Sequence, residues 1–554
     1  MELIKFLQIF KFTTHTHSPT ITGVISKKIL FLLLTILSTL IFVWPELNFQ
    51  DQLAQGDHGR DLYAFEVVYK GQLPYKDFWW VYGPIMPYYY GLFYKVFGVH
   101  ITSVLLGRAL LLIGCAALFY LSCAVIMTPG LAFLGAVWFI EGRQEFTCTY
   151  NHIGGTLASL VIMYALLSYV RLGSARYLWL SLLSTFFLML VKVNFGVVSL
   201  FIILVGIPAI DALKHYSWEN QKKKFYLTAL VPLPLITAAI YWFLLKDLPS
   251  YAVHQCMPYF GNDEPYHAPL FVSIYAYFHG FWVSFFSTPQ NVWIGLVLHL
   301  STLAAVGVLL SGRLPKDEAK NIWLSLGLTG LFFVLYFHEY LLSNVWYRSF
   351  WSYPFVILFH FVMIAIAFKV LHPVLRVLVL IFLWKLMLLG GLAHINQIQH
   401  QKTPDHYLSM PRGQIYVGNE PPWVDTVNKA TDYLNTNLSK DDLFFALPYD
   451  CLYYYLTGKT SPTRQLIFFD HIHIPPEQET AVIKELEDKH VDYVLMSTRI
   501  VSMEMGLGFF GKTYCPLLAK YLGDNFTQIY QQGGDPQRSA GWADNHGVFV
   551  LKRN

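Results

Sequence analysis

Runs of apolar residues, most near the roughly 20 needed to cross a bilayer, recur along the chain until the pattern changes near His394. The first, Ile29 to Trp44, follows Lys5, Lys11, Lys27 and Lys28. No small-residue cleavage site comes after it, so it reads as a retained signal-anchor helix. Further runs are Ile101 to Met127, Leu131 to Ile140, Ile153 to Val170, Tyr177 to Val191, Phe195 to Ile210 and Tyr226 to Leu245. Beyond them come Val292 to Leu310, Ile322 to Phe337, Tyr353 to Phe368 and Leu375 to Leu392. Lys and Arg mark cytoplasmic loops. If the runs alternate, the N-terminal lysines, Arg171 with Arg176, and the Lys222, Lys223, Lys224 cluster fall on one side. Leu270 to Phe286 is apolar but rich in aromatics; laid flat or re-entrant, it leaves "GRLPKDEAKN", Lys369 and Arg376 on that same basic side. The expectation is about eleven spans with the C-terminus outside. "PIMPYYYGLFYKVFG" is short, Tyr-rich and proline-bearing, which predicts a helix lying in the outer interface.

Past His394 the chain turns polar. Strand-like runs such as "DLFFAL" and "VDYVLMS" alternate with amphipathic stretches such as "PEQETAVIKELEDKH", the signature of a small α/β layer domain. The predicted organisation is an all-α polytopic membrane domain over residues 1–394, with outer loops at 46–100 and 141–152. An extracytoplasmic α/β domain over residues 395–554 completes it.

Composition sharpens this picture. Only 13% of the 554 residues are charged and 55% are hydrophobic, against roughly 25% charged in soluble domains. The net charge of +4 is spread out and leaves no nucleic-acid footprint. The six cysteines show no metal-ligand spacing, and Cys115 and Cys123 read as core residues. His254, Asp263, Glu264 and His267 match no known ligand pattern either.

The informative feature is the acid content of two outer loops. Asp57, Asp61 and Asp77 lie in the first, and Glu141 and Glu145 reach the same side in the second. Each alone is unremarkable in a wet loop. Meeting at one interface, they would make a polar site at the lip of an apolar bundle. Plainer readings stand beside this one: Asp61 pairs with Arg60 or caps a helix, and the tyrosines of "MPYYYGLFY" form an interface belt. In the same vein, Arg348 snorkels and Lys192 flanks a helix end, and His338–Glu339, at a span end, caps it or contacts substrate.

The order Asp57-x-Gly59, Gly71-x-Leu73-Pro74-Tyr75-x-Asp77-Phe78 and Gly83-Pro84, followed by Tyr-rich residues and "FG", resembles the first outer loop of C-type (GT-C fold) glycosyltransferases. The resemblance is to the bacterial branch with lipopolysaccharide-core galacturonosyltransferase-like proteins, with protein O-mannosyltransferases as more distant relatives. "KVNFG" at Lys192 and "NVWYRSFWSYP" around Arg348 resemble further elements of that family. It implies that Asp57 is the catalytic base or acceptor-positioning acid, assisted by Glu145 or Glu141. It also implies that Arg348 contacts a lipid-linked phosphate, and it puts Tyr347, Asp77, His58 and Lys192 among the substrate-binding candidates. His58 follows Asp57 where many relatives carry a second acid.

The chemistry implied is transfer of a hexose or pentose from a polyprenyl phosphate to a hydroxyl of a glycan, lipid or protein in the cell envelope, with inversion, at a bacterial inner membrane. A carboxylate can take the attacking hydroxyl's proton, and a guanidinium can grip two oxygens of the leaving phosphate. No organic cofactor is needed; whether the loop carboxylates act alone or hold a divalent cation is open. A transporter would place ionisable groups at mid-membrane, where the candidates are His360 and Arg108. A polysaccharide polymerase or ligase of another membrane fold is the other alternative.

Overall fold

The computed structural model describes residues 21–142, 149–216, 230–257, 269–287, 289–312, 314–503, 506–535, 538 and 545–554. Among them, seven helices are long and apolar enough to cross a membrane: Lys27–Asn48, Ile101–Ile126, Tyr150–Leu172, Val193–Lys214, Lys316–Ser343, Arg348–Ala367 and Pro373–Gln401. Shorter apolar helices include Pro129–Glu141, Ala175–Val191 and Pro232–Leu245. Leu270–Ser287 is one continuous helix followed at once by Pro289–Leu310. Helices are the natural form here, because hydrocarbon offers no partner to a backbone N–H or C=O.

Side-chain placement fits lipid on the outside. On the first helix Leu33, Leu37 and Ile41 are exposed, whereas Thr35 and Thr39 are buried and donate their hydroxyls to the carbonyls of Phe31 and Thr35. On Pro373–Gln401, Leu378, Ile381, Trp384 and Leu388 form an exposed apolar face. In water such a face would be a liability; in a bilayer it is solvated.

The polar part is built on a four-stranded sheet ordered β4 (Phe444–Leu447), β5 (Tyr493–Ser497), β7 (Gly547–Arg553), β6 (Phe526–Gly533). β4 and β5 are parallel, and the other pairs antiparallel. β4 is buried throughout and β5 at all but its first residue, as expected for strands covered on both faces. The expected boundary at 394/395 falls inside a helix: Pro373–Gln401 runs on through "HINQIQHQ". Polarity marks where that helix leaves the apolar zone, not where it ends.

The first loop is not a separate excursion. Its strand β1 (Phe49–Gln50) pairs in parallel with β3 (Ile415–Val417), which pairs antiparallel with β2 (Tyr407–Leu408). Asn419 brackets Leu53, accepting from its N–H at 2.7 Å and donating to its carbonyl at 3.1 Å. Trp79 N–H donates to the Arg464 carbonyl at 2.8 Å, and Gly83 N–H to the Val191 carbonyl at 2.9 Å. A Cβ at Gly83 would run into the Leu190 carbonyl, so only glycine lets the loop lie on that helix end. The loop is thus a layer clamped between bundle and C-terminal region. The helix Ile85–Phe97 forms as expected, but its tyrosines are mostly not a belt. Tyr90 and Tyr94 are buried, and the Tyr89 and Tyr90 hydroxyls donate to the carbonyls of Gly107 and Tyr150.

Candidate active site

The helix Asp57–Tyr69 opens at Gly56, and Asp57 sits in its first turn, where the unsatisfied N–H groups of a helix favour negative charge. A Cβ at Gly56 would strike the Tyr449 ring, and one at Gly59 the Leu452 backbone. "GDHGRD" is therefore spaced to admit the C-terminal region right against the helix start. Arg60, with 2% of its side chain exposed, gathers the polar groups around it. Its Nε and Nη2 donate to Asp61 Oδ1 at 3.0 and 2.7 Å, and its Nη1 to Asp57 Oδ1 at 3.3 Å and to the Tyr449 hydroxyl at 2.9 Å. Tyr449 in turn donates to Asp57 Oδ1 at 3.0 Å. Asp57 keeps 48% of its side chain exposed, whereas Asp61 is fully buried. Burial pushes the Asp61 carboxyl up to about 6, even with Arg60 in contact.

The second polar group lies across one aromatic ring. Lys192 meets Glu339 Oε1 at 2.6 Å, and Asn194 donates to the same oxygen at 2.8 Å. Lys192 is walled by Trp351 and Phe195, whose ring centroids are 5.0 and 5.3 Å from its ammonium. Arg348 stands half-buried on the turn Trp346–Ser352, close enough to act on the charge of Glu339 and of His152. Tyr82 joins the two groups. The Arg60 guanidinium lies 4.9 Å from its ring centroid, Lys192 5.9 Å, and the His152 ring meets it edge-on at 5.3 Å.

The expected site residues therefore fall in several places. Asp57, Lys192 and Arg348 belong to the two groups around Tyr82, and Tyr347 sits beside Arg348 on the same turn. His58 turns inward: it is buried, its Nδ1 accepts the Ala54 N–H at 3.0 Å, and burial pushes it down to about 4. Asp77 closes its own loop, accepting the Leu73 N–H at 2.7 Å. The Glu141 carboxylate packs on Gly390 of the last membrane helix. Glu145 lies outside the described residues, as do Asp263, Glu264 and His267. Of the mid-membrane candidates, Arg108 donates to Gln50 Oε1 at 2.6 Å and His360 pairs through Nδ1 with the Val356 carbonyl at 2.7 Å. Tyr449 and His152 were not legible in the sequence as members of these groups, whereas Glu339 reads there as a span cap or a substrate contact. The reading of Asp61 as the local partner of Arg60 matches the geometry.

No group of three or more His, Cys, Asp or Glu side chains converges on a common point among the described residues. Asp57 and Asp61 both turn an oxygen to the same guanidinium.

Several solved membrane proteins are similar to the chain in shape. ArnT from Cupriavidus metallidurans, solved with undecaprenyl phosphate bound, superposes with a TM-score of 0.50 over 94% of this chain and 97% of its own, at 10% identity. The chain has the GT-C fold. It is an integral membrane protein. The arabinofuranosyltransferase AftD from Mycobacteria gives a TM-score of 0.48 at 12% identity, over 94% of this chain and 40% of that longer one. The oligosaccharyltransferase AglB from Archaeoglobus fulgidus, in complex with an inhibitory peptide and a dolichol-phosphate, gives 0.47 at 10% identity, over 95% and 88%. No protein-family model matches the chain, and no curated protein matches it.

Proposed function

We propose that this GT-C protein is a glycosyltransferase that moves a sugar from a polyprenyl-phosphate donor to a hydroxyl acceptor at the outer face of the membrane. The observation that carries the reading is that Arg60, which holds Asp57, and Lys192, which Arg348 neighbours, both lie against the Tyr82 ring. The ring thus connects a half-exposed carboxylate, Asp57 on Arg60, with the group of Lys192 and Arg348. Asp57 Oδ2 takes the proton of the acceptor hydroxyl, whose oxygen attacks the anomeric carbon as the bond to the phosphate oxygen breaks. The electron pair leaves with the phosphate, and Arg348 receives the new charge with Lys192 behind it. A single displacement inverts the anomeric centre. The lipid tail lies along the apolar bundle, and the acceptor (glycan, lipid or protein) arrives from the side of the C-terminal region.

The test is purified protein in lipid nanodiscs with a panel of undecaprenyl- and dolichyl-phosphate sugars. The expected result is release of the free polyprenyl phosphate and a product of opposite anomeric configuration. Absence of release with every donor, or a product of retained configuration, overturns the proposal.

A further inference from the structure

We infer that Tyr449, from the C-terminal region, is a positioning residue that fixes which oxygen of Asp57 acts as the base. The inference rests on the function proposed above and deepens it. A guanidinium can only donate hydrogen bonds. The Tyr449 hydroxyl, 2.9 Å from Arg60 Nη1, must therefore accept there, and its own proton is left for Asp57 Oδ1 at 3.0 Å. Arg60 Nη1 gives Oδ1 a second donor at 3.3 Å. With both donors on Oδ1, the carboxylate cannot spin, and no described residue donates to Oδ2. Oδ2 is the oxygen left to the acceptor.

The phenol is held from both sides of the chain. The Pro448 carbonyl accepts the Phe468 N–H at 2.8 Å, and Leu452 N–H reaches the Gln55 carbonyl at 3.1 Å. The ring itself fills the space a side chain at Gly56 would take, and its edge meets Phe469 at 6.0 Å between centroids. A residue with 4% of its surface exposed has no need of a hydroxyl for packing alone. The titratable neighbours of Asp57 are His58, Arg60 and Asp61 on its own helix, and Tyr449, Cys451 and His471 from the C-terminal region. Among those from the C-terminal region, Tyr449 is the one in hydrogen-bond contact with the carboxylate.

The experiment compares Tyr449→Phe, Gly56→Ala and Asp57→Asn in nanodiscs with the donor that supports transfer. Loss of one charge-assisted hydrogen bond predicts a fall of about tenfold in kcat for Tyr449→Phe. The donor KM stays within about twofold, and the acid limb of kcat/KM moves toward higher pH, because a carboxylate that loses a donor is easier to protonate. Gly56→Ala keeps the hydroxyl but displaces the ring, and lowers kcat in the same direction. A merely structural phenol would leave the acid limb where it is. Parental kcat with an unmoved limb in Tyr449→Phe overturns the inference, and so does failure of that variant to fold, since it would place the hydroxyl in folding rather than chemistry. If Asp57→Asn is inactive while Tyr449→Phe is parental, the proposed function stands and the inference alone falls. If Asp57→Asn transfers at the parental rate, the base assignment falls first.

Discussion

At the Asp57 end of the site one guanidinium serves two carboxylates and a phenol, and 48% of the Asp57 side chain is open. At the Lys192 end an ammonium meets one carboxylate, the two are 12% and 4% exposed, and aromatic rings enclose them. With every group ionised, the first end carries an excess of negative charge. The second, counting Arg348, carries an excess of positive charge. In the proposed glycosyl transfer the contrast would divide the labour. The negative, wetter end would accept a proton, and the positive, drier end a leaving phosphate, where low dielectric makes fixed charge count for more. Burial also tunes the negative end. Asp61, held up to about 6, gives up its proton only near neutrality, so the excess charge beside Asp57 builds between pH 5 and 7.

The largest expected effect comes from removing the shared guanidinium. Arg60→Met leaves Asp61 fully buried beside no counter-charge, a loss of about 3–5 kcal/mol. Thermal unfolding at pH 8 should show it. Asp61 has a raised pKa, so its share of stability is complete below its unfolded value and is lost as pH rises through the folded one. The Arg60→Met protein should therefore recover on going from pH 8 to pH 5 more than the parent does. A parental midpoint at pH 8 would erase the distinction between the two ends.

Asp450 sharpens the comparison, because it is a buried carboxyl with no guanidinium in contact. The Ser497 hydroxyl and the Tyr449 backbone lie close by, but neither carboxyl oxygen has a hydrogen bond of normal geometry. Burial pushes it up to about 6 as well. Raising a carboxyl from 3.8 to about 6 makes its ionisation cost about 3 kcal/mol of native stability. That stability is present below pH 4 and lost as pH rises through 6. Asp450→Asn should remove this slope from the unfolding midpoint between pH 4 and 7; an unchanged slope would mean that the burial is relieved in solution.

At the positive end, Glu339→Gln removes the carboxylate charge that meets Lys192 and costs about 3 kcal/mol, the low end for a buried pair. Pairing it with Lys192→Met should restore most of the stability, as expected of residues in direct contact, while transfer stays impaired. Full recovery of transfer in the double variant would make the pair structural only.

Much of this architecture could be read along the chain. The apolar runs became helices, "VDYVLMS" holds β5, "DLFFAL" holds β4, and "PEQETAVIKELEDKH" opens the helix Pro476–Asp488. Periodicity and length carry such information because each element satisfies its own backbone. The seam could not be read that way. β1 and β3 have two and three residues, too short to show alternation, and Tyr449 reaches Asp57 across 392 positions. Glu339 resembled a cap because it begins a short helix; its partners Lys192 and Asn194 come from another part of the bundle. The tyrosines of the helix Ile85–Phe97 looked interfacial by composition, yet carbonyls of neighbouring helices satisfy their hydroxyls. Such partnerships depend on tertiary geometry and leave no local mark.

The central claim is that Asp57 takes the acceptor's proton, and the most direct measurement is the initial rate of sugar transfer by Asp57→Asn in nanodiscs at saturating donor. The amide can still accept from Arg60 and Tyr449 but cannot act as a base. The rate should fall by about 10²–10⁴-fold, with the unfolding midpoint and donor binding close to those of the parent. Transfer at the parental rate would contradict the claim.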